Sequence, residues 1–168
     1  MGRKHKTEVN AVNELEFIRR AEGVKKRLYR TALLYLGSES MALDAVDEAV
    51  YKGFCAYKKL RQEEFFETWM TRILINVCNT ELRRRKRETA VEELPETAAE
   101  EFDALPLKEA VAKLPRELRA VIVLRFFTGL TLEETARALG IPQGTVSTRQ
   151  RRALQLLKLE LTEQEGLA

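Results

Sequence analysis

Apolar side chains recur at three- and four-residue steps through most of the chain, and the strict alternation of a β-strand appears nowhere. That period places one face of an α-helix against a core. Leu15, Ile18, Ala21, Val24, Leu28, Ala32 and Tyr35 trace a first long stripe, which Gly37 ends. Ser38 or Ser40 can cap a second helix with Ala42, Ala45, Val46, Ala49, Gly53, Tyr57 and Leu60 inward. Residues 61–65 break the period. A third helix follows, with Phe66, Trp69, Met70, Ile73, Val77 and Cys78 inward, and runs out into five consecutive basic residues at 83–87.

The next stretch, 88–106, holds two prolines and seven carboxylates and shows little periodicity, which predicts a linker. Helical patterning resumes near Leu107. Pro115 suits the first turn of a helix carrying residues 120–127, and Thr128-Gly129 closes it. Thr131 followed by Glu134 is a capping box opening a short helix over 132–139. Gly140 stops that helix, Ile141 is an apolar plug, and Pro142 suits the start of another. The expected fold is therefore all-α: two small helical domains joined by an acidic flexible linker, the second containing a helix-turn-helix. The expected boundaries are an N-terminal tail over 1–13, a first domain over 14–87, a linker over 88–106 and a second domain over 107–168.

Charge sharpens this division. The net charge of +3 conceals 19 basic and 12 acidic residues in 1–87, seven acidic and no basic ones in 88–106, and ten basic and seven acidic in 107–168. Two basic bodies joined by an acidic tether is a pattern that the overall composition hides. No window approaches the roughly 20 apolar residues of a membrane span, and the first residues lack a signal peptide's apolar stretch, so the expectation is a cytoplasmic chain without direct membrane insertion. The two cysteines, Cys55 and Cys78, and the one histidine, His5, offer no metal-ligand spacing, and neither a glycine-rich phosphate loop nor a nucleophile–base set is evident. No enzyme, metal or cofactor is expected.

The helix after Pro142 carries the clearest chemistry. At about 100° per residue, Val146, Ala153, Leu154 and Leu157 share one side, while Thr145, Ser147, Thr148, Arg151, Arg152 and Gln155 take the other, with Arg149 at the boundary. No carboxylate occurs from Ile141 to Leu159. A helix built only for solubility mixes Glu with Lys; hydroxyls and arginines on an acid-free face instead suit phosphates and guanine edges in a major groove.

Three stretches, LDAVDEAVYKGF (43–54), FETWMTRILINVCNTELRRR (66–85) and LPRELRAVIVLRFFTGLTLEETARALGIPQGTVSTRQRRAL (114–154), together resemble the extracytoplasmic-function sigma factors of the sigma-70 family. The resemblance covers about 15–87 and 107–161. It implies a bacterial transcription initiation factor whose first domain binds RNA polymerase core and reads a single-stranded minus-ten element, and whose second reads the minus-thirty-five element as duplex. By that resemblance Ser147, Thr148, Arg151 and Arg152 meet base edges, while Thr145 and Arg149 hold phosphates. Asn76, with residues near Arg61 and Phe66, would hold a flipped base, and Asn79, Thr80 and Arg83 would follow the strand. Asp44, Asp47, Glu48 and Tyr51, outward on the second helix, would meet the polymerase core. An anti-sigma factor is a further implied partner.

Blander readings stand beside these. Trp69 lies at core spacing, the 83–87 cluster suits a helix C-terminus in solvent, and plain exposure would account for Asn76 or for the acidic patch. The competing function is a free-standing helix-turn-helix regulator, which would bring a dimerisation element to match paired half-sites; none is evident. A helical adapter without nucleic acid is the third class.

Overall fold

The computed structural model describes residues 2–88 and 105–166, with side chains over 13–88, 106–163 and at 166. Seven α-helices account for most of the described residues: α1 (Gly2–Leu36), α2 (Glu39–Ala56), α3 (Phe66–Glu88), α4 (Leu105–Lys113), α5 (Arg116–Ile122), α6 (Leu132–Leu139) and α7 (Gln143–Gly166). The expected tail over 1–13 is instead helical from Gly2 and continuous with α1. Of the expected linker, residues 89–104 lie outside the described residues. Its first residue, Glu88, closes α3, and its last two open α4.

The first three helices pack around an apolar seam. Gly37, at φ 72°, ends α1 in the left-handed conformation that costs glycine little. Ser38 then caps α2, its hydroxyl accepting from the Met41 amide at 3.5 Å. On α2 the buried face is Met41, Ala42, Ala45, Val46, Ala49 and Gly53. Small residues at three- and four-residue steps let α2 approach its neighbours closely: a Cβ on Gly53 would stand 2.5 Å from Met70 Sδ and 3.3 Å from Phe17 Cζ.

The inward stripe of α1 differs from the expected one. Leu15 and Ile18 are 68% and 52% exposed, whereas Phe17 is 2% exposed. Leu15 and Ile18 lie about 200° and 100° around the helix from Phe17, so only one phase can face inward. The aromatic ring has the larger area to bury. It packs edge-on against Phe54, Tyr57 and Phe66, with ring centroids 5.6, 5.3 and 5.8 Å away.

Helix α2 stops at Ala56, short of the expected Leu60. Two 3₁₀ turns, Tyr57–Lys59 and Glu63–Phe65, then carry the chain to α3. Buried Phe66, Met70, Leu74, Ile75, Val77 and Cys78 hold α3 in place, and burial pushes the Cys78 thiol up to about 12, as an inert core residue requires.

The remaining helices enclose a core built on Val111, Leu118, Val121, Ile122, Val123, Leu124 and Val146. Pro115 caps α5 rather than entering its first turn, and α5 passes into a π-helical stretch, Val123–Phe127. The capping box of α6 is complete: Thr131 Oγ1 accepts from the Glu134 amide at 3.1 Å while Glu134 Oε2 accepts from the Thr131 amide at 2.8 Å. Gly140, at φ 65°, ends α6. The Pro142 carbonyl then accepts from the amides of Thr145 and Val146 at 3.1 and 3.2 Å, starting α7 one residue after the proline.

The two groups of helices meet along α1 and α3. The Thr31 and Thr128 hydroxyls stand 3.2 Å apart across this seam. Tyr35 is buried there, its hydroxyl pushed up to about 12 by desolvation. Arg119 is half-buried, donates to the Ala112 carbonyl at 3.2 Å, and has its pKa lowered by burial and then by nearby Arg116.

Candidate nucleic-acid interface

The buried side of α7 is Val146, Ala153 and Leu157. Leu154, expected with them, is 43% exposed, because it sits about 80° around the helix from Val146 and 100° from Ala153, past the edge of the contact with α5 and α6. Arg151, Arg152 and Thr148 are exposed, and Thr145 and Ser147 half-buried. Among the described residues neither Arg151 nor Arg152 is ion-paired, which leaves ten N–H donors free on one face of α7. The Thr148 hydroxyl donates to the Gly144 carbonyl at 3.0 Å.

Two interactions absent from sequence reasoning set the angle of this helix. Arg125, in the π-helical stretch, donates from Nε to Gln150 Oε1 at 3.0 Å and from Nη1 to the Leu130 carbonyl at 2.5 Å, joining α7 to the turn before α6. Arg149 pairs with Glu117 at 3.1 Å. Glu117 lies in the first turn of α5, so Arg149 is engaged from the α5 side.

On α3, Asn76, Thr80, Arg83 and Arg87 are all exposed. Their angular positions fall within about 60° of one another, giving a polar stripe three turns long that ends in guanidinium groups. Asn79 sits off this stripe: its Oδ1 accepts from the buried Tyr35 hydroxyl at 2.7 Å, so it closes the seam between the two helical groups. Thr80 donates to the Asn76 carbonyl at 2.9 Å and lies beside a groove where Asp44, Glu48 and Lys52 of α2 face Glu81 and Arg84 of α3.

The loop before α3 also needs correction. Phe66 is 5% exposed and packed among Phe17, Tyr57 and Trp69, so it cannot receive a base without dismantling the core. Its neighbour Phe65 is 51% exposed. Phe65, with exposed Arg61, is what the loop presents, while Phe66 takes the inward place that the helical stripe gives it. Asp44, Asp47, Glu48 and Tyr51 are all exposed on α2, as expected.

These features define a class: an all-helical protein with a helix-turn-helix presenting unpaired arginines and a separate helical unit presenting an amide–hydroxyl–guanidinium stripe. Comparison with known proteins gives the family. Residues 21–88 match the family described as Sigma-70 region 2, and residues 110–159 match Sigma-70, region 4. The chain is 32% identical over 146 residues to the RNA polymerase sigma factor SigV of Bacillus subtilis, covering 84% of this chain and 88% of that protein. It is 30% identical over 133 residues to the ECF RNA polymerase sigma factor SigM of Mycobacterium tuberculosis, covering 76% and 68%. The fold is that of the sigma factor RpoE in its complex with the anti-sigma factor NepR from Bartonella quintana (TM-score 0.74, 23% identity, 88% of this chain and 97% of that one). It is similarly that of CnrH in complex with the cytosolic domain of CnrY (TM-score 0.66, 21% identity, 94% of each chain). The chain belongs to the extracytoplasmic-function sigma factors of the sigma-70 family.

Proposed function

We propose that this chain is a promoter-specificity factor: it binds RNA polymerase core and directs it to promoters whose minus-ten element it reads as single strand and whose minus-thirty-five element it reads as duplex. The observation that carries this reading is the presence of region 2 and region 4, in that order, within one chain. A free-standing regulator needs only the second and is not favoured. Members of this family are transcription initiation factors, and the proposed work of the chain is recognition rather than bond chemistry.

In this reading Arg151 and Arg152 reach base edges from α7, with Ser147 and Thr148 beside them, while Thr145 and Arg149 serve phosphates, Arg149 after exchanging Glu117 for the backbone. Arg61, Phe65 and Asn76 surround an extruded minus-ten base, and Thr80 and Arg83 follow its strand. Replacing the stacking lost by an extruded base calls for an exposed ring and a polar pocket. The carboxylates of Asp44, Asp47 and Glu48, with Tyr51, suit a basic surface of the polymerase. A cytoplasmic site of action follows from that partner. The two solved relatives, both in complex with a second protein, support an anti-sigma factor as a further partner.

Run-off transcription with purified core polymerase on genomic fragments tests the proposal. Discrete products that require both proteins are expected; products unchanged by omitting this chain would refute it. On a promoter so obtained, Asn76→Ala should reduce permanganate reactivity of minus-ten thymines by up to about tenfold, since a hydrogen-bonding contact to the base edge, worth about 0.5–1.5 kcal/mol, is removed. Duplex binding by the second unit should not change. Wild-type thymine reactivity would remove Asn76 from the interface.

A further inference from the structure

We infer that Arg20 of α1, acting through Glu63, is a positioning residue for the loop over 61–65. The inference rests on the reading of that loop as part of the minus-ten interface.

The loop has little of its own to hold it. Between α2 and α3 it is two 3₁₀ turns, closed by the Leu60 amide on the Tyr57 carbonyl at 3.0 Å and the Phe65 amide on the Gln62 carbonyl at 3.2 Å. Residues 61–65 are all exposed. It also carries an oddity for a surface meant to meet DNA, the adjacent carboxylates Glu63 and Glu64. A carboxylate beside a phosphate backbone opposes binding unless it is neutralised.

Arg20 meets both needs. Its Nη1 donates to the Glu63 carbonyl at 3.0 Å and its Nη2 to Glu63 Oε2 at 2.8 Å, so one guanidinium grips both the backbone and the side chain of the same loop residue. Its Nε donates to Glu16 Oε1 at 2.6 Å, and its plane stands 5.9 Å from the centre of the Phe66 ring. Glu16 is itself held by Arg19, through Nε to Oε2 at 3.1 Å and Nη2 to Oε1 at 2.8 Å. These two arginines lower the Glu16 carboxyl to about 2, so it stays ionised as an anchor at any working pH. Two turns further on, Arg27 pairs with Glu67.

The result is a rigid connection from α1 to the loop, 43 residues away in sequence, made by a planar fork that a lysine cannot replace. Arg20 is half-buried, at 24% side-chain exposure, with its guanidinium turned onto Glu63. Its effect is to draw the Glu63 charge back against the protein and to fix the backbone from which Arg61 and Phe65 project. A reading loop held in its bound geometry discriminates among bases because little ordering remains to be done on binding.

The test uses full-length protein with core polymerase and a promoter obtained by run-off transcription, together with its set of single-base minus-ten and minus-thirty-five substitutes. The ratio of initiation on the parent to initiation on each substitute is measured for Arg20→Met, Arg20→Lys and Glu63→Ala. Arg20→Met keeps the apolar stem over Phe66 but loses every donor, and should reduce minus-ten discrimination at least tenfold. Arg20→Lys should fall between it and wild type. Glu63→Ala, at an exposed site that leaves the bond to the backbone carbonyl intact, should reduce discrimination about threefold and guards against a folding failure of the first variant. Minus-thirty-five discrimination should be unchanged in all three. Wild-type minus-ten ratios in both Arg20→Met and Glu63→Ala would overturn the inference, as would equal losses at the two elements. A wild-type protein that initiates nowhere would instead refute the promoter-specificity reading, and this pair with it.

Discussion

The double variant Arg151→Ala/Arg152→Ala should lose binding to a minus-thirty-five duplex by two to four orders of magnitude while keeping the wild-type unfolding midpoint. Each bidentate arginine–guanine contact contributes about 1–3 kcal/mol of discrimination, and about 1.4 kcal/mol is a factor of ten. Both side chains are exposed and neither is ion-paired to a described residue, so their removal leaves no buried partner unsatisfied. Fluorescence anisotropy across a salt series separates reading from mere charge. If an arginine only neutralises a phosphate, its loss weakens all duplexes alike and lowers the salt slope by about 0.9; if it reads a base, the loss concentrates on the parent sequence. Unchanged affinity for the parent duplex would show that α7 is not the reading helix.

Much of this was legible because it is local. The capping box at Thr131 and Glu134, the stop at Gly140 and the acid-free face of α7 each lie within one or two turns of sequence, where helix geometry alone decides which side chains are neighbours. What was not legible depends on partners far along the chain. Asn76 and Asn79 are the same residue type three positions apart, yet only Asn79 meets Tyr35, 44 residues earlier. Arg149 and Gln150 lie on a helix whose composition suggests DNA, but one is engaged by Glu117 and the other by Arg125. Phe66 is a different case, expected both inward on the α3 stripe and beside the extruded base: a 3₁₀ turn runs directly into α3 between Phe65 and Phe66, so the ring on the helix is buried and the ring on the turn is exposed.

That last distinction carries a large energetic consequence. Phe66→Ala should destabilise the first unit by about 3–5 kcal/mol, the usual cost of removing a buried ring. The cavity would open beside Phe17, Tyr57 and Trp69, whose ring centroids lie 5.8, 5.9 and 5.9 Å from that of Phe66. Against a typical total of about 5–15 kcal/mol, such a loss displaces the folding equilibrium by two orders of magnitude or more. Phe65→Ala, at a half-exposed ring outside the core, should change stability by less than about 0.5 kcal/mol. It should instead weaken promoter opening by roughly the 1–3 kcal/mol of one base–aromatic stack. Urea unfolding followed through Trp69, the chain's one tryptophan, reads the first effect directly because its indole is tilted against Phe66; permanganate footprinting with core polymerase reads the second. Equal midpoints for Phe66→Ala and wild type would mean that the ring is not buried as described. A Phe65→Ala protein as unstable as Phe66→Ala would mean that α3 starts one residue out of phase, with the two aromatic side chains exchanging roles.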